Sequence, residues 1–477
     1  MTRSARPAVS RGTPPQPRPP TPQPRGGLRT GQKVTVTFRR MEPNGAAVGS
    51  AGPHAIIVPF AAPGESAVVE IVRGGPHPEG KIVSLLRRSP QTQVPHCRHF
   101  GVCGGCQWQH LSYENQLQYK TALVREALAP VLGGAPHLVR EAVGGEPWAY
   151  RDRLQAAVAM RGERLVAGFH VSGGDLRVIN VRECPIQHPA NVQALDATRA
   201  ALVELSWPVF DAVTRRGLVR GIIAQTAVRT DEVMVVLSTV RDVPDRMAVV
   251  RLLRERVPGL RSLVLSIAPR SRPELLGRLS LLWGRDYLED EVAGVRVRLF
   301  PTAALPPNPG AMPAWVEAVA VSLMLDGTET VLDAACEEGF MAVALARRAA
   351  RVIGIAPDRT AMHRAWDAAT LNGLTTCVFY TRAPERVIEK LHTRGERLDA
   401  ALLTSRSHPA SPELFTLLVR SGARRLAIAG SSLTLLAADL RTAKAAGYQL
   451  NAVRPVDLLP QTSRIHCVAS LVHGSSS

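Results

Sequence analysis

TVLDAACEEGFMAVALARRAARVIGIA, residues 330–356, carries the topology of the C-terminal half of this chain. Its apolar runs VLDAA and RVIGIA have strand length, and between them a tight turn, CEEGF, leads into an alanine-rich helical stretch. Strand, turn, helix and second strand in this order make one βαβ crossover. The alternation extends both ways. AWVEAVAVSLML (314–325) precedes it as a helix, and DRTAMHRAWDAATLNG, CVFYT, ERVIEKLHT and LDAALLT follow as helix, strand, helix and strand. Strands alternating with helices of this length predict a doubly wound, Rossmann-like sheet over residues 301–477, entered through the proline-rich boundary PTAALPPNPGAMP (301–313).

Upstream of that boundary the pattern changes. In residues 32–90, QKVTVTFRR, HAIIVPF, AVVEIVRG and GKIVSLLRRS are short strands separated by Gly- and Pro-rich turns, as in a small OB-like β-barrel. Such barrels bind single-stranded nucleic acid with a basic face and stacking aromatics, and here only Phe38 and Phe60 are available to stack. Residues 91–300 form a central α/β domain. It opens with a cysteine loop and a helix, SYENQLQYKTALVREAL, for which Ser112 is the N-cap and to whose apolar side Leu117, Leu123 and Leu128 contribute. The stretches DRLQAAVAM, GLVRGIIAQTA, EVMVVLSTV and DRMAVVRLLRERV then alternate strands with a helix. The fold class is thus α/β multidomain.

The 477 residues are 45% hydrophobic, 21% charged and 4% aromatic, with 58 Lys+Arg against 40 Asp+Glu, a net charge of +18. Nine basic residues precede the first acid, Glu42, so half of the net charge lies in the first 41 residues. Residues 1–31 also hold eight prolines, which predicts a disordered, extended basic arm. A GC-rich genome explains arginine over lysine, which occurs five times, but not an excess of positive charge, so a polyanionic partner is expected. No uncharged apolar run reaches the ~18 residues of a membrane span. The N-terminus lacks the apolar segment of a secretory signal. A cytoplasmic monomer is expected.

Seven cysteines occur, and four stand at ligand-like spacing. Cys97, Cys103 and Cys106 lie in CRHFGVCGGCQWQH, and the glycines at 101, 104 and 105 allow a tight wrap that turns three thiolates to one centre. Cys184, in RECPIQHP, is the candidate fourth ligand. Four cysteines hold either zinc or a [4Fe–4S] cluster. Zinc sites usually show two close pairs, so a compact triple plus a distant single favours the cluster. His96, His99 and His110 are then neighbours rather than ligands.

A barrel, then C-x5-C-x2-C within FGVCGGCQWQHLSYENQLQYK, then YRDRLQ near 150, then ECP at 183–185, then a doubly wound domain, resembles one family. It is similar to the TRAM-domain, iron–sulfur RNA uracil-5 methyltransferases that use S-adenosylmethionine. The resemblance runs from about residue 31 to the C-terminus. It implies a TRAM barrel, a [4Fe–4S] cluster on Cys97, Cys103, Cys106 and Cys184 that is structural rather than redox-active, and an rRNA or tRNA partner. It also implies a chemistry. Uracil C5 is a poor nucleophile, so a cysteine thiolate adds to C6, C5 attacks the sulfonium methyl, and a base removes the C5 proton.

The family's functional motifs are altered here. The cofactor turn D-L-x-C-G-x-G reads DAACEEG: Asp333, Cys336 and Gly339 match, but Glu337 replaces the first glycine. The ribose carboxylate position, at the end of the second strand, holds Ala356; Asp358, two residues on, is either a substitute or a helix N-cap. In ALPPN, aligned with F-F-Q-x-N, Asn308 is kept and Pro306 replaces the glutamine. Thr404 stands for the Asp of D-P-P-R. The nucleophile position holds Gly430, or Ser431 in the neighbouring register, and the base position holds His466. Scaffold residues around these positions persist. The expectation is therefore an RNA-binding, cluster-bearing family member without cysteine-dependent uracil methylation, with Asp333, Gly339 and Asp358 as remaining cofactor contacts and S-adenosylmethionine binding left open. An active methyltransferase with a rearranged site and an iron–sulfur redox sensor are the alternatives. Arg39, Arg40, Arg151 and Arg153 are the candidate RNA contacts.

Overall fold

The computed structural model describes residues 27–174, 176–269, 274–303, 305–405 and 407–474; the basic arm up to residue 26 lies outside the described residues. Five strands, β1 (Lys33–Met41), β2 (Ala47–Ala51), β3 (His54–Val58), β4 (Ser66–Arg73) and β5 (Glu79–Arg87), close into a barrel in the order β1-β2-β3-β5-β4. Alternation sends Val36 and Phe38 inward. Phe38 is therefore core and not offered to a base, and the half-buried Phe60 packs edge-on against Phe100 at 5.0 Å. Trp108, from the cysteine loop, is fully buried in the barrel core and donates Nε1–H to the Gly45 carbonyl at 2.9 Å.

Helix α1 (Tyr113–Leu132) starts at Ser112, whose hydroxyl caps the Asn115 N–H. Leu123 and Leu128 are buried, whereas Leu117 is only half-buried. The helix lies in sequence with the central domain but packs with the C-terminal one: Val124, Leu128 and Val131 share a core with Leu436, Leu440 and Tyr448.

The central sheet contains β6 (Arg153–Arg161), β7 (Arg164–His170), β8 (Val178–Asn180), β9 (Val219–Ala227), β10 (Glu232–Thr239), β11 (Leu260–Ile267) and β12 (Arg278–Gly284), in the order β12-β11-β10-β9-β6-β7-β8. Helices α2 (Pro189–Glu204) and α3 (Arg246–Arg256) share a core with one of its faces. From the other face Ile223, Met234 and Val264 join the core of the C-terminal domain, together with the hairpin β13 (Leu288–Val292) and β14 (Val295–Leu299).

The C-terminal domain runs α4 (Met312–Leu323), β15 (Thr330–Asp333), α5 (Phe340–Leu345), β16 (Arg351–Ile355), α6 (Arg359–Leu371), β17 (Cys377–Tyr380), α7 (Pro384–Thr393), β18 (Ala400–Ser405), α8 (Pro412–Arg420), β19 (Arg425–Gly430), α9 (Leu433–Ala445), β20 (Tyr448–Val456) and β21 (His466–His473). The strand order is β17-β16-β15-β18-β19-β21-β20, with β15 to β19 parallel and β21 antiparallel to both neighbours. The alanine-rich stretch after the turn forms the six-residue α5, long enough to run back along a four-residue strand. The chain moves outward from β15 to β17 and then returns to the other side of β15 as β18. Loops diverge at that reversal and leave a crevice at the carboxyl ends of the strands.

Candidate active site and four-cysteine centre

A cavity of about 450 Å³ opens at this crevice, within the few-hundred-Å³ range of small-molecule pockets. Strand ends deliver its polar floor: Asp333 from β15, Thr404 and Ser405 from β18, Gly430 and then Ser431 from β19, and His466 at the start of β21. Pro306, Trp315 and Met312 wall one side, and Glu337, Glu338 and Phe340 another. Of the positions singled out as altered, Pro306, Glu337, Thr404, Gly430 with Ser431, and His466 converge on one space with the retained Asp333, whereas Ala356 is not part of its lining.

The turn after β15 keeps its shape despite losing its first glycine. Glu337 lies in the left-handed region at φ 51°, and Gly339 follows at φ 89°. Cys336 N–H donates to the Ile355 carbonyl at 2.9 Å, binding the turn to β16. Gly339 is required sterically, since a Cβ there would lie 2.7 Å from the Ala365 Cβ. Glu337 holds its backbone at a cost of ~1–2 kcal/mol. Glu338 pairs with Arg364 at 2.5 Å, and burial raises its carboxyl against the opposing pull of that arginine. Arg364 also lies over the Phe300 ring at 3.8 Å and donates to Thr302 Oγ1 at 2.9 Å. This arm bolts α6 to Thr302 and to Phe300, which lines the cavity with Ala303.

Other sequence-predicted positions have structural duties. Asp358 caps α6, its carboxylate accepting from Ala361 N at 2.9 Å, and it does not line the cavity. Asn308 caps a short 3₁₀ turn and donates to the Leu458 carbonyl at 3.2 Å. Gly430 is tight: a Cβ there would meet the Ser405 carbonyl oxygen at 3.0 Å. The Ser405 hydroxyl bonds Asp439, whose other oxygen accepts from Ala410 N at 2.8 Å, fixing the loop after β18. Sequence reading missed Asp439, a helix-interior acid with no motif around it. His466 stacks edge-on against Trp315 at 5.6 Å, and its Nδ1 is buried without a hydrogen-bond partner. Burial, then the charges of Lys120 and Arg464, lower its pKa to about 4, so the ring is neutral at physiological pH. Cys336 lines the cavity, but a Cβ on Gly354 would lie 2.9 Å from its sulfur, so the thiol is wedged into the core. Cys377 and Cys467 are buried away from the lining, and burial pushes both thiols up.

Hydrogen bonds lay the loop that carries Cys97, Cys103 and Cys106 against the central sheet. Gly104 N–H donates to the His170 carbonyl at 3.1 Å and Ser172 N–H to the Val102 carbonyl at 2.9 Å, laying the loop on the end of β7. Cys184 arrives in the loop after β8, the neighbour of β7. The wrap turns at Gly101, φ 84°. Cys106 and Cys184 pack beside Tyr150, Ile186, Leu459 and Trp148. Burial pushes the thiol of Cys106 up to about 12 and that of Cys184 to about 11, and charge on the other thiols raises both further. Among the described residues no group of three or more His, Cys, Asp or Glu is placed to hold a single metal ion. His96 stacks on Trp148 at 4.5 Å, and buried His110 donates Nε2–H to the Ala61 carbonyl at 3.1 Å.

Of the candidate RNA contacts, Arg39 is exposed. Arg40 pairs with Glu42 at 2.7 Å. Arg153 is committed internally, donating to Gln225 Oε1 at 2.8 Å and the Pro301 carbonyl at 2.6 Å. Arg151 is half-buried with its Nε unpartnered. No helix among the described residues is long and apolar enough to cross a membrane.

A seven-stranded sheet in this order, with a cavity at its point of reversal, defines a Rossmann-like methyltransferase fold. No protein-family model matches the sequence. An uncharacterised RNA methyltransferase of Caldanaerobacter subterraneus is 30% identical over 446 residues, spanning 93% of this chain and 98% of that protein. Another, of Halalkalibacterium halodurans, is 29% identical over 444 residues, 92% of this chain and 96% of the relative. The chain belongs to this family of RNA methyltransferases. Among solved structures, the tRNA (uracil-54, C5)-methyltransferase of Pyrococcus abyssi, in complex with S-adenosyl-L-homocysteine, shares the fold with a TM-score of 0.74 and 20% identity, over 92% of this chain and 100% of that one.

Proposed function

We propose that this protein is an RNA-binding member of its family that does not methylate uracil C5 through a cysteine thiolate. One observation carries the reading. The cavity wall at the nucleophile position is Gly430 and Ser431, and at the base position it is His466. A serine hydroxyl is far harder to ionise than a thiol. A neutral imidazole with a pKa near 4 is also a weak base. Cys336 is the cysteine on the lining among the described residues, and its sulfur is wedged against Gly354.

S-adenosylmethionine fits the cavity by size and charge. Asp333 and Glu338 would face its positive end, the retained turn would lie beneath it, and a carboxylate for the ribose is missing at Ala356. Bound there, it supplies an electrophilic methyl group. The chain's own part is to seat the molecule against Phe300, Ala303 and Pro306 and to exclude water with Trp315 and Phe340.

The cysteines are read as holding a [4Fe–4S] cluster. Support comes from the donor set: four half-buried cysteines, of which Cys103, Cys106 and Cys184 have their thiols pushed up by burial, so that a bound cation would compensate their thiolates. A cluster takes thiolates farther apart than a tetrahedral zinc does. Cys97, Cys103, Cys106 and Cys184 would be its ligands and would cross-link the TRAM-like barrel's companion loop to the central sheet. The partner is rRNA or tRNA in the cytoplasm, bound by a monomer. Contacts come from the basic arm, Arg39, Arg40 and Arg151, in domains divided at residues 31, 90 and 300.

A second reading, a methyltransferase with a rearranged site, draws on His466, whose unpartnered Nδ1 at the cavity wall is available to a ligand. Tritium release from RNA labelled at uracil C5, with S-adenosylmethionine present, separates the two. The expected result is background release together with RNA binding that weakens steeply with salt. Multiple turnovers would overturn the proposal.

A further inference from the structure

The segment 457–466 passes from the edge of the sheet, beneath the cysteine loop, into the cavity wall. At its apex Gln461 is 1% exposed and holds φ 67°, a left-handed conformation that a residue with a side chain adopts only under constraint. The constraint is visible. Its carbonyl accepts from both Gln107 N–H and Trp108 N–H at 3.0 Å, the two amides next to Cys106. Its own N–H donates to Gln116 Oε1 at 2.9 Å, and Gln116 Nε2 donates back to its Oε1 at 3.0 Å.

The residues beside it are anchored as firmly. The Tyr150 hydroxyl donates to the Pro460 carbonyl at 2.9 Å, and Lys120 Nζ to the Leu459 carbonyl at 3.2 Å. Lys120 also pairs with Asp457 at 2.6 Å, both side chains fully buried. Two routes then lead to the cavity. Asn308, two residues from Pro306, donates to the Leu458 carbonyl, and five residues after Gln461 the chain delivers His466.

We propose that Gln461 is a positioning residue through which the four-cysteine centre sets the cavity: with the centre filled, the backbone after Cys106 holds Gln461, and Gln461 holds His466 and the 305–308 segment in place. The inference rests on the reading that the cysteines hold iron. It makes the centre a structural condition for the cavity, with no electron transfer involved.

Hydrogen exchange read by mass spectrometry tests it on the full chain, purified without oxygen and compared before and after iron removal with ferricyanide and EDTA. Exchange at 461–468 and 429–431 is expected to quicken roughly tenfold on iron removal, with 351–380 unchanged. Gln461→Gly keeps the left-handed backbone and its backbone bonds to Gln107, Trp108 and Gln116, and loses only the bond from Gln116 Nε2 to the Gln461 side chain. It should retain iron but show at most half of the iron-dependent change at 466–468. A wild-type-sized response in that variant would overturn the role of Gln461. In the wild type alone, acceleration confined to 97–110 and 183–188 would overturn the coupling while leaving the cluster standing. Iron-free protein would overturn the cluster reading and this proposal with it.

Discussion

The junction at 457–463 and the cavity reached a few residues later use similar side chains to opposite ends. At the junction the buried polar residues are paired, although Asp457 Oδ2 is left without a hydrogen bond: Lys120 with Asp457, Gln461 with Gln116, Tyr150 with a carbonyl. In the cavity His466 Nδ1 has none, a glutamate is held left-handed, and the nucleophile position has no side chain. Both places hold a left-handed residue, Gln461 and Glu337, but at the junction that backbone is tied into a hydrogen-bonded network, whereas at the cavity wall the His466 Nδ1 has no partner. The contrast places retained architecture next to an altered site.

Breaking the junction should have the largest effect. Lys120→Met leaves Asp457 charged, buried and unpaired, and unfolding should become easier by about 3–5 kcal/mol. Adding Asp457→Leu should recover much of that loss, because an apolar pair needs no solvation. Denaturant melts of the two variants check this; equal destabilisation in both would show that the ion pair is not what holds the strap.

The cavity should answer to pH instead. His466 has a folded pKa near 4 against about 6.5 unfolded, so the unfolded chain is the better proton acceptor between those values. Its contribution to stability is complete above pH 6.5 and is lost as pH falls toward 4. Between pH 7.5 and 5 the wild type should lose about 2 kcal/mol more than His466→Gln. Parallel pH profiles would mean that the ring is hydrated rather than buried.

Glu337→Gly sharpens the comparison most gently. It relieves the left-handed turn and should stabilise the fold by about 0.5–1 kcal/mol, the strain released less the extra freedom of glycine when unfolded. It should also tighten S-adenosylmethionine binding in calorimetry, because the backbone then meets the ligand without a side chain. Weaker binding would make the Glu337 carboxylate a ligand contact in its own right.

Much of this was legible in the sequence where a local rule governs. The alternation around 330–356 gave the sheet, Ser112 and Asp358 behave as the caps their residue types favour, and the altered motif positions meet in one cavity. What was hidden depends on distant pairing. No pattern marks α1 as part of the C-terminal core, Asp439 as the anchor of the loop after β18, or Gln461 as the apex of the strap, since their partners lie far along the chain. Arg153 alternates with Arg151 as a basic strand face would, yet its guanidinium is held inside by Gln225 and Pro301.

The claim that no thiol serves this cavity is tested most directly with RNA containing 5-fluorouridine. Its C5 cannot release a proton, so any cysteine that adds to C6 and completes transfer stays bonded to the RNA. Incubation with the iron-replete protein and S-adenosylmethionine, followed by denaturing electrophoresis and peptide mapping, should reveal no covalent complex. A stable adduct, mapped to Cys336 or to any other cysteine, would contradict the account.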